Sequence, residues 1–207
     1  TAHVMDLRTG AIASAQALAT LTSGNTAREP SAVAIYGGQV YVAVTDADFG
    51  ASSGQAGLGI YRMSFDGATG ALGSPVHVLP STGITSVIAY GRRVFMSKNN
   101  AGVNGRGIVV QSLSSPTVNP FTPALLTTTY PFENSFVIAG DAAYLPAGTS
   151  GMIVGTLSYD AVTFQPTSLS TVATVDLGGS VDIALTAGAR AYFGTLTGGW
   201  FVFRTRG

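Results

Sequence analysis

Apolar and polar residues along this chain fall in short runs rather than in a helical period. Four stretches share one plan: VAIYGGQVYVAV (33–44), VIAYGRRVFMSK (87–98), FVIAGDAAYLPA (136–147) and IALTAGARAYFG (183–194). Each holds an apolar run, a glycine-containing tight turn and a second apolar run with an aromatic near its start. This is a β-hairpin pattern, because glycine supplies the positive φ that two-residue turns require. The turn glycines Gly37, Gly91, Gly140 and Gly188 stand 54, 49 and 48 residues apart, and Tyr41, Phe95, Tyr144 and Tyr192 keep the same spacings. A third landmark follows each hairpin: Gly59, Gly107, Gly151 and Gly199 precede the runs IYRMSF, IVVQSL, MIVGTL and WFVF. Three landmarks in one order over four copies make an internal repeat.

Each copy therefore predicts strands A and B joined by a tight turn, a longer loop, and strand C. A strand D follows in three copies, as PVHVL (75–79), PALLTTT (123–129) and LSTVATV (169–175), reached from C by turn chemistry such as Asp66-Gly67-Ala68-Thr69-Gly70. The Ala-rich segment AIASAQALATL (11–21) favours helix locally, yet AIAS falls where GALGSP falls in the next copy, so a strand is expected there. Four-stranded antiparallel units at this spacing describe the blades of a β-propeller, an all-β fold. Runs such as YVAVT and SVIAY are almost continuously apolar, as strands covered on both faces by neighbouring blades must be. A β-sandwich accounts for the strand number but not for the constant spacing. The expected layout is one domain or propeller segment over 1–207: a half blade at 1–29, full blades at 30–81, 82–130 and 131–176, and a partial blade at 177–207. Two arrangements stay open, a closed four-bladed ring locked by terminal strands and an arc of a larger ring completed by further blades or chains.

Composition narrows the function classes. Only 10% of the 207 residues are charged, the formal net charge is zero, and Lys98 is the one lysine. Nucleic-acid binding needs a basic stripe, and a polybasic membrane contact needs a cluster of cations, so neither is expected. No apolar run reaches the length of a transmembrane helix. Without cysteine there is neither a disulfide framework nor a thiolate site. Low lysine with abundant Thr, Ser, Gly and Ala suits a secreted or periplasmic protein, and a chain beginning at Thr1 fits a removed leader or a piece of something longer.

The segment GIYRMSFDGATGALGSP resembles the outer-strand pattern of the lactonase-like β-propellers, the group that includes bacterial 6-phosphogluconolactonase. That pattern is a strand with an aromatic, then Asp, Thr-Gly and an apolar residue, here Tyr61, Asp66, Thr69, Gly70 and Leu72. LRTGAI keeps Thr9 and Gly10 but lacks the aromatic. SAVAIYGGQVYVAVT (31–45) resembles the family's inner strands and the related surface-protein repeat named for Tyr-Val-Thr-Asn, matching at Tyr41 and Val42 and departing at Ala43 and Val44. The resemblance implies a propeller. Lactonases of this family gather acidic, His and Arg groups at the channel mouth, and none of those matches residue by residue. The chain has only His3 and His77, and His77 falls in an outer strand.

In a propeller the B–C and D–A loops share one face, and here they carry the variation. The longest are TDADFGASSGQAGLG (45–59) and KNNAGVNGR (98–106). Asp46 and Asp48 could gather oxygens for a hard cation, but they equally suit Asx turns in a Gly-rich loop, and no metal is expected. Lys98, Asn99, Asn100, Arg106 and Asn134 complete a face suited to an anionic or sugar ligand. Glu133, next to an inner strand, and Asp182, within the inner strand SVDIAL, are the weak candidates for acid–base work. Backbone capping by Glu133 and an inter-blade hydrogen bond from Asp182 compete with that role. Arg92 and Arg93 read as a solvated turn, and Trp200 as packed between blades. GTSG (148–151) lacks nucleophile-elbow spacing, the Gly-rich loops lack a phosphate-cradling Lys-Ser/Thr ending, and no cofactor is expected. The leading expectation is an extracytoplasmic, non-catalytic scaffold presenting loops to a protein or glycan. The alternatives are a lactonase-like hydrolase and a structural subunit of a larger assembly.

Overall fold

The computed structural model describes residues 2–5, 9, 11–16, 28–46, 58–81, 83–99, 106–113, 124–127, 135–162, 165–187 and 189–205. The fold is all-β, every strand pairing is antiparallel, and the described residues contain no helix. β1 (Ala2–Met5) and β2 (Ile12–Gln16) form a hairpin. Sheet 1 holds β3 (Arg28–Tyr36), β4 (Gln39–Asp46) and β5 (Gly59–Asp66), with β6 (Ala71–Leu72) and β7 (Val76–Pro80) both on the far edge of β5. Sheet 2 runs β8 (Ile84–Tyr90), β9 (Arg93–Asn99), β10 (Arg106–Ser112) and β11 (Ala124–Thr127). Sheet 3 runs β12 (Val137–Ala139), β13 (Ala142–Pro146), β14 (Met152–Tyr159) and β15 (Pro166–Val175), and sheet 4 runs β16 (Val181–Ala187), β17 (Arg190–Thr195) and β18 (Gly199–Arg204). Apart from β6 and β7, which share the far edge of β5, strands adjacent in sequence are adjacent in space, as in a meander.

The tight turns explain why the hairpins register as they do. Gly37 and Gly38 have φ of 55° and 71°, and Tyr36 pairs with Gln39 across them. Two successive positive φ values give the turn whose twist matches that of the strands. In sheet 2 the second turn position is Arg92, with φ of 59°. A side chain in that left-handed region costs about 1 kcal/mol. The Ala-rich run at 12–16 is strand against its helix propensity, because pairing from Ala2↔Gln16 to Met5↔Ile12 satisfies its backbone.

The sheets stack in chain order, each burying one face against the next. Register assigns the faces. Tyr41 pairs with Ala34 and Arg62, Phe95 with Ile88 and Val110, Tyr144 with Val137 and Val154, and Tyr192 with Leu185 and Val202. The repeated aromatic thus marks one face, here called the front. Tyr41 enters a core shared with Val87, Val94 and Met96 from the back of sheet 2. Phe95 and Val110 enter the next core with Phe136, Ala143 and Ile153 from the back of sheet 3. Tyr144 and Met152 enter the third with Ala184, Ala191 and Phe193 from the back of sheet 4. Residues alternate strictly along a strand, so sheets 2 and 3 bury both faces. That is the physical reason their strands read as unbroken apolar runs. A fourth core, on the back of sheet 1, holds Val40, Val42, Val44, Tyr61 and Met63, with Phe65 and Leu72 against it. The hairpin β1–β2 lies nearest to sheet 1, through β2 and β6.

The turn from β5 to β6 shows what the Asp-x-x-Thr-Gly pattern does. Asp66 Oδ1 accepts from the Ala68 and Thr69 amides at 2.9 and 3.4 Å, and Oδ2 accepts from the Thr69 hydroxyl at 2.7 Å. Gly70, at φ of 72°, returns its amide to the Asp66 carbonyl at 2.8 Å. The Thr69 hydroxyl bonded to the carboxylate holds Asp66 below the usual carboxylate range, helped by the Ala68 amide. Thr69 Oγ1 also accepts from the Ala71 amide at 3.3 Å, and Thr9 Oγ1 accepts from Ala11 at 3.2 Å. The N-terminal Thr-Gly therefore makes the same turn contact as its echo sixty residues on.

Two expectations are corrected. Trp200 is not packed between sheets: it lies on the front of sheet 4, 60% exposed, with no further sheet against that face among the described residues. Arg93 is not a solvated turn residue. Its guanidinium lies 4.3 Å above the Tyr159 ring of sheet 3 and donates to the Gly91 carbonyl at 3.1 Å. Tyr90 Oη accepts from the Gly140 amide at 3.0 Å. Sheets 2 and 3 are thus joined by polar contacts as well as by their core.

Candidate functional site

Buried polar side chains concentrate in one part of the molecule. Thr45, Thr85, Ser86, Ser97 and Lys98 make up most of those found among the described residues, and all lie at the end of sheets 1 and 2 opposite the tight turns. A register shift between Ile84 and Ser86 displaces Thr85 from the ladder. Thr85 Oγ1 and Ser97 Oγ then share a buried hydrogen bond of 2.7 Å. The bulge re-aims a side chain at the mouth of the sheet, a recurrent use of such irregularities.

Lys98 is the centre of this cluster. It pairs in register with Ile84 on one side and Gly107 on the other. Alternation along β9 puts it on the same face as Val94 and Met96, which enter the core between sheets 1 and 2. Thr45 shares a face of β4 with Tyr41 and Ala43 and points into that same layer from the other side. Lys98 is only 9% exposed, and burial pushes its ammonium below the usual lysine range. No described carboxylate forms an ion pair with it. Thr45 Oγ1 is buried and has no hydrogen-bond partner among the described residues. A desolvated ammonium and an orphaned hydroxyl are both costly unless something bonds them. The arrangement has the chemistry of a site for a ligand carrying negative charge and hydroxyl or carboxylate oxygens.

The other sequence candidates distribute around this end. Asp46 closes β4 opposite Arg28, and Asn99 pairs with Arg106 at the ends of β9 and β10, one position beyond Lys98. Backbone pairing thus brings Lys98, Asn99 and Arg106 to one sheet end, with Asp46 at the corresponding end of sheet 1. Asp48, Asn100, Glu133 and Asn134 lie outside the described residues. Asp182 sits apart, half-buried in β16 at a register shift between Val181 and Ile183. The tie between sheets 3 and 4 at this point comes from Ser135, whose hydroxyl donates to the Asp182 carbonyl at 3.5 Å and accepts from the Ala184 amide. His77 stacks on Tyr61 at 4.4 Å between ring centroids, and its Nε2 donates to the Leu58 carbonyl at 3.0 Å. That histidine is a packing element of β7. Among the described residues no three His, Cys, Asp or Glu side chains come together as a metal site.

Sequence reasoning picked out Lys98 but missed Thr45, Thr85 and Ser97. Only Ser97 carried a signal: FMSK places a hydroxyl where the other copies have Ala43, Pro146 and Gly194.

No helix among the described residues is long and apolar enough to cross a membrane. No family model matches the chain, and no curated protein is similar to it at a significant level. Among solved structures, the chain is similar to the computationally designed Ika4 protein, with a TM-score of 0.48 and 16% identity over 93% of this chain and 100% of that one. It is also similar to a protein from Lactobacillus plantarum, with a TM-score of 0.43 and 13% identity over 84% of this chain and 70% of that one.

Proposed function

We propose that the chain is a non-catalytic β-propeller scaffold, working outside the cytoplasm, that binds an anionic glycan at the Lys98 end of its first two sheets. The sheets are read as blades because they stack in chain order through equivalent faces, with the innermost strand first in each. Kinship with the lactonase-like propellers is supported by the shared turn contacts of Thr9 and Thr69. Export is supported by a sequence with only 10% charged residues and one lysine.

Lys98 carries the functional reading. A buried ammonium with no carboxylate beside it among the described residues is unfavourable in the free protein, and an incoming carboxylate or sulfate would turn that cost into a charge-assisted hydrogen bond. The vacant acceptor and donor of Thr45 suit a sugar hydroxyl. A glycan is favoured over a protein ligand because the site offers one cation and small hydroxyls rather than a broad apolar patch.

The test is calorimetric titration with oligogalacturonate and with neutral oligogalactan of equal length. The reading expects binding of the charged sugar alone, weakened at least tenfold in Lys98→Met and partly kept in Lys98→Arg. Equal binding of both sugars, or no change in Lys98→Met, would refute it. Hydrolysis of a sugar lactone that disappears in Asp182→Asn would replace it with the hydrolase reading.

A further inference from the structure

The repeat allows the four sheets to be compared position by position. On the front face, the first residue of each C-strand apolar run is Ile60, Ile108, Met152 or Trp200. The first three are 0%, 0% and 1% exposed, while Trp200 is 60% exposed. The first strand of each sheet follows the same trend: Ala34 and Val137 are buried and Ile88 is half-buried, whereas Leu185 is 43% exposed, and Val202, across Tyr192 on β18, is 55% exposed. On the back face the exception is at the other end of the stack. Val87, Phe136 and Ala184 are buried against the preceding sheet, but the corresponding Val33 is 62% exposed and Ile35 follows at 59%.

The apolar residues left open are therefore the two halves of one recurring interface. Within the chain, a front A-strand residue meets a back A-strand residue of the next sheet: Ala34 and Val87 share a core, as do Val137 and Ala184. Leu185 and Val33 occupy those two positions and have no such partner among the described residues. The outer part of the back of sheet 1, at Val42 and Tyr61, is already covered, so the opening is confined to the innermost strand β3.

We infer that the front of sheet 4 docks on the back of sheet 1 in a second copy of this chain, continuing the stack head to tail. The occupant is identified by the interface itself. The surface that fits a front face is a back face of this repeat, and this chain carries a free one. Leu185, Tyr192, Trp200 and Val202 of one copy would cover Val33 and Ile35 of the next. Such a contact is heterologous: each copy uses two different patches. The inference is independent of the Lys98 site, which lies within one chain.

Sedimentation velocity on the purified chain tests it. The wild type should sediment at twice its 21.0 kDa mass or more at micromolar concentration. Val202→Asp should be monomeric, and so should the double variant Val33→Asp with Ile35→Asp. Each variant should keep the wild-type far-UV spectrum, since these side chains are exposed in the single chain. An equimolar mixture of the two should associate again, because each supplies the face the other lacks. The cysteine-free sequence permits a second measurement that does not depend on those variants folding. Oxidation of mixed Leu185→Cys and Val33→Cys chains should give the crossed disulfide dimer in preference to either homodimer. A wild type that stays monomeric to hundreds of micromolar would overturn the inference. So would a mixture that fails to associate, or cross-linking of Leu185→Cys chains mainly to themselves, which would mean a symmetric contact.

Discussion

Replacing Gly59, Gly151 or Gly199 with alanine should separate sheets 1 and 3, which carry a D strand, from sheet 4, in which none is described. Gly151 has φ of 85°, and a Cβ there would overlap the Val175 carbonyl oxygen and lie 3.0 Å from its carbon and 3.2 Å from Asp176 Cα. These are backbone atoms of the neighbouring strand end, paired with β14 through Met152↔Val175, so no side chain can rotate to make room. Gly59, with φ of 124°, is in the same position: a Cβ would overlap the Leu79 carbonyl oxygen and lie 2.7 Å from the Ser81 amide nitrogen. Gly199, with φ of 92°, would meet nothing within 4 Å, because β18 is the last described strand of sheet 4. Gly199→Ala thus suffers only the backbone strain of a positive φ, about 1–2 kcal/mol. Gly151→Ala adds to that the separation of two strands and the loss of one or two ladder hydrogen bonds, each about 1 kcal/mol, giving about 3–5 kcal/mol in all. Equilibrium urea unfolding followed by far-UV circular dichroism measures both, as a shift of midpoint at constant slope. The expected order is Gly151→Ala and Gly59→Ala far below wild type, with Gly199→Ala close to it. Equal losses at Gly151 and Gly199 would refute the reasoning, since it attributes the difference to the neighbouring strand and not to the glycine.

The same glycines show what could be read from sequence and what could not. The spacing of Gly59, Gly151 and Gly199, and that of the turn glycines Gly37, Gly91 and Gly140, was visible because a close backbone approach or a positive φ disfavours residues with a Cβ. Strand C and its neighbour were legible for that reason, down to β7, β11 and β15. Cover on both faces was legible too, in almost continuously apolar runs such as SVIAY, and sheet 2 buries both of its faces. Trp200 follows a glycine as its buried counterparts do, so the sequence pattern alone could not show that it is 60% exposed. Burial depends on what the next sheet is, which a residue does not encode. The candidate site divides in the same way. Lys98 stood out as the lone lysine, but its isolation depends on the bulge at Thr85 and on Thr45 facing it across the layer. Register shifts of one residue leave little trace in composition. The Arg93–Tyr159 contact joins residues 66 apart by alignment of separate sheets, and short-range pattern carries no information about it.

Two titrations probe the local electrostatics. Asp66 is held below the usual carboxylate range mainly by the Thr69 hydroxyl, so its turn contributes stability that is complete above the unfolded value and is lost as pH falls through the folded one. The melting-temperature gap between wild type and Asp66→Asn should therefore narrow between about pH 5 and about pH 2, and a gap that stays constant over that range would show that the carboxylate charge is not what orders the turn. Lys98 has the opposite bias: burial lowers its folded value below the ordinary 10.5, so the folded protein resists the proton that the unfolded chain accepts. Wild-type stability should rise with pH from the folded value towards 10.5, and Lys98→Met should be the more stable protein at pH 7, by on the order of 1 kcal/mol. That advantage should shrink as the pH approaches 10.5, because the unfolded lysine then loses its proton as well. Urea midpoints at pH 7 and pH 10 decide it: an equal advantage at both would assign the effect to packing of the methionine, and no advantage at pH 7 would show that the ammonium is already satisfied.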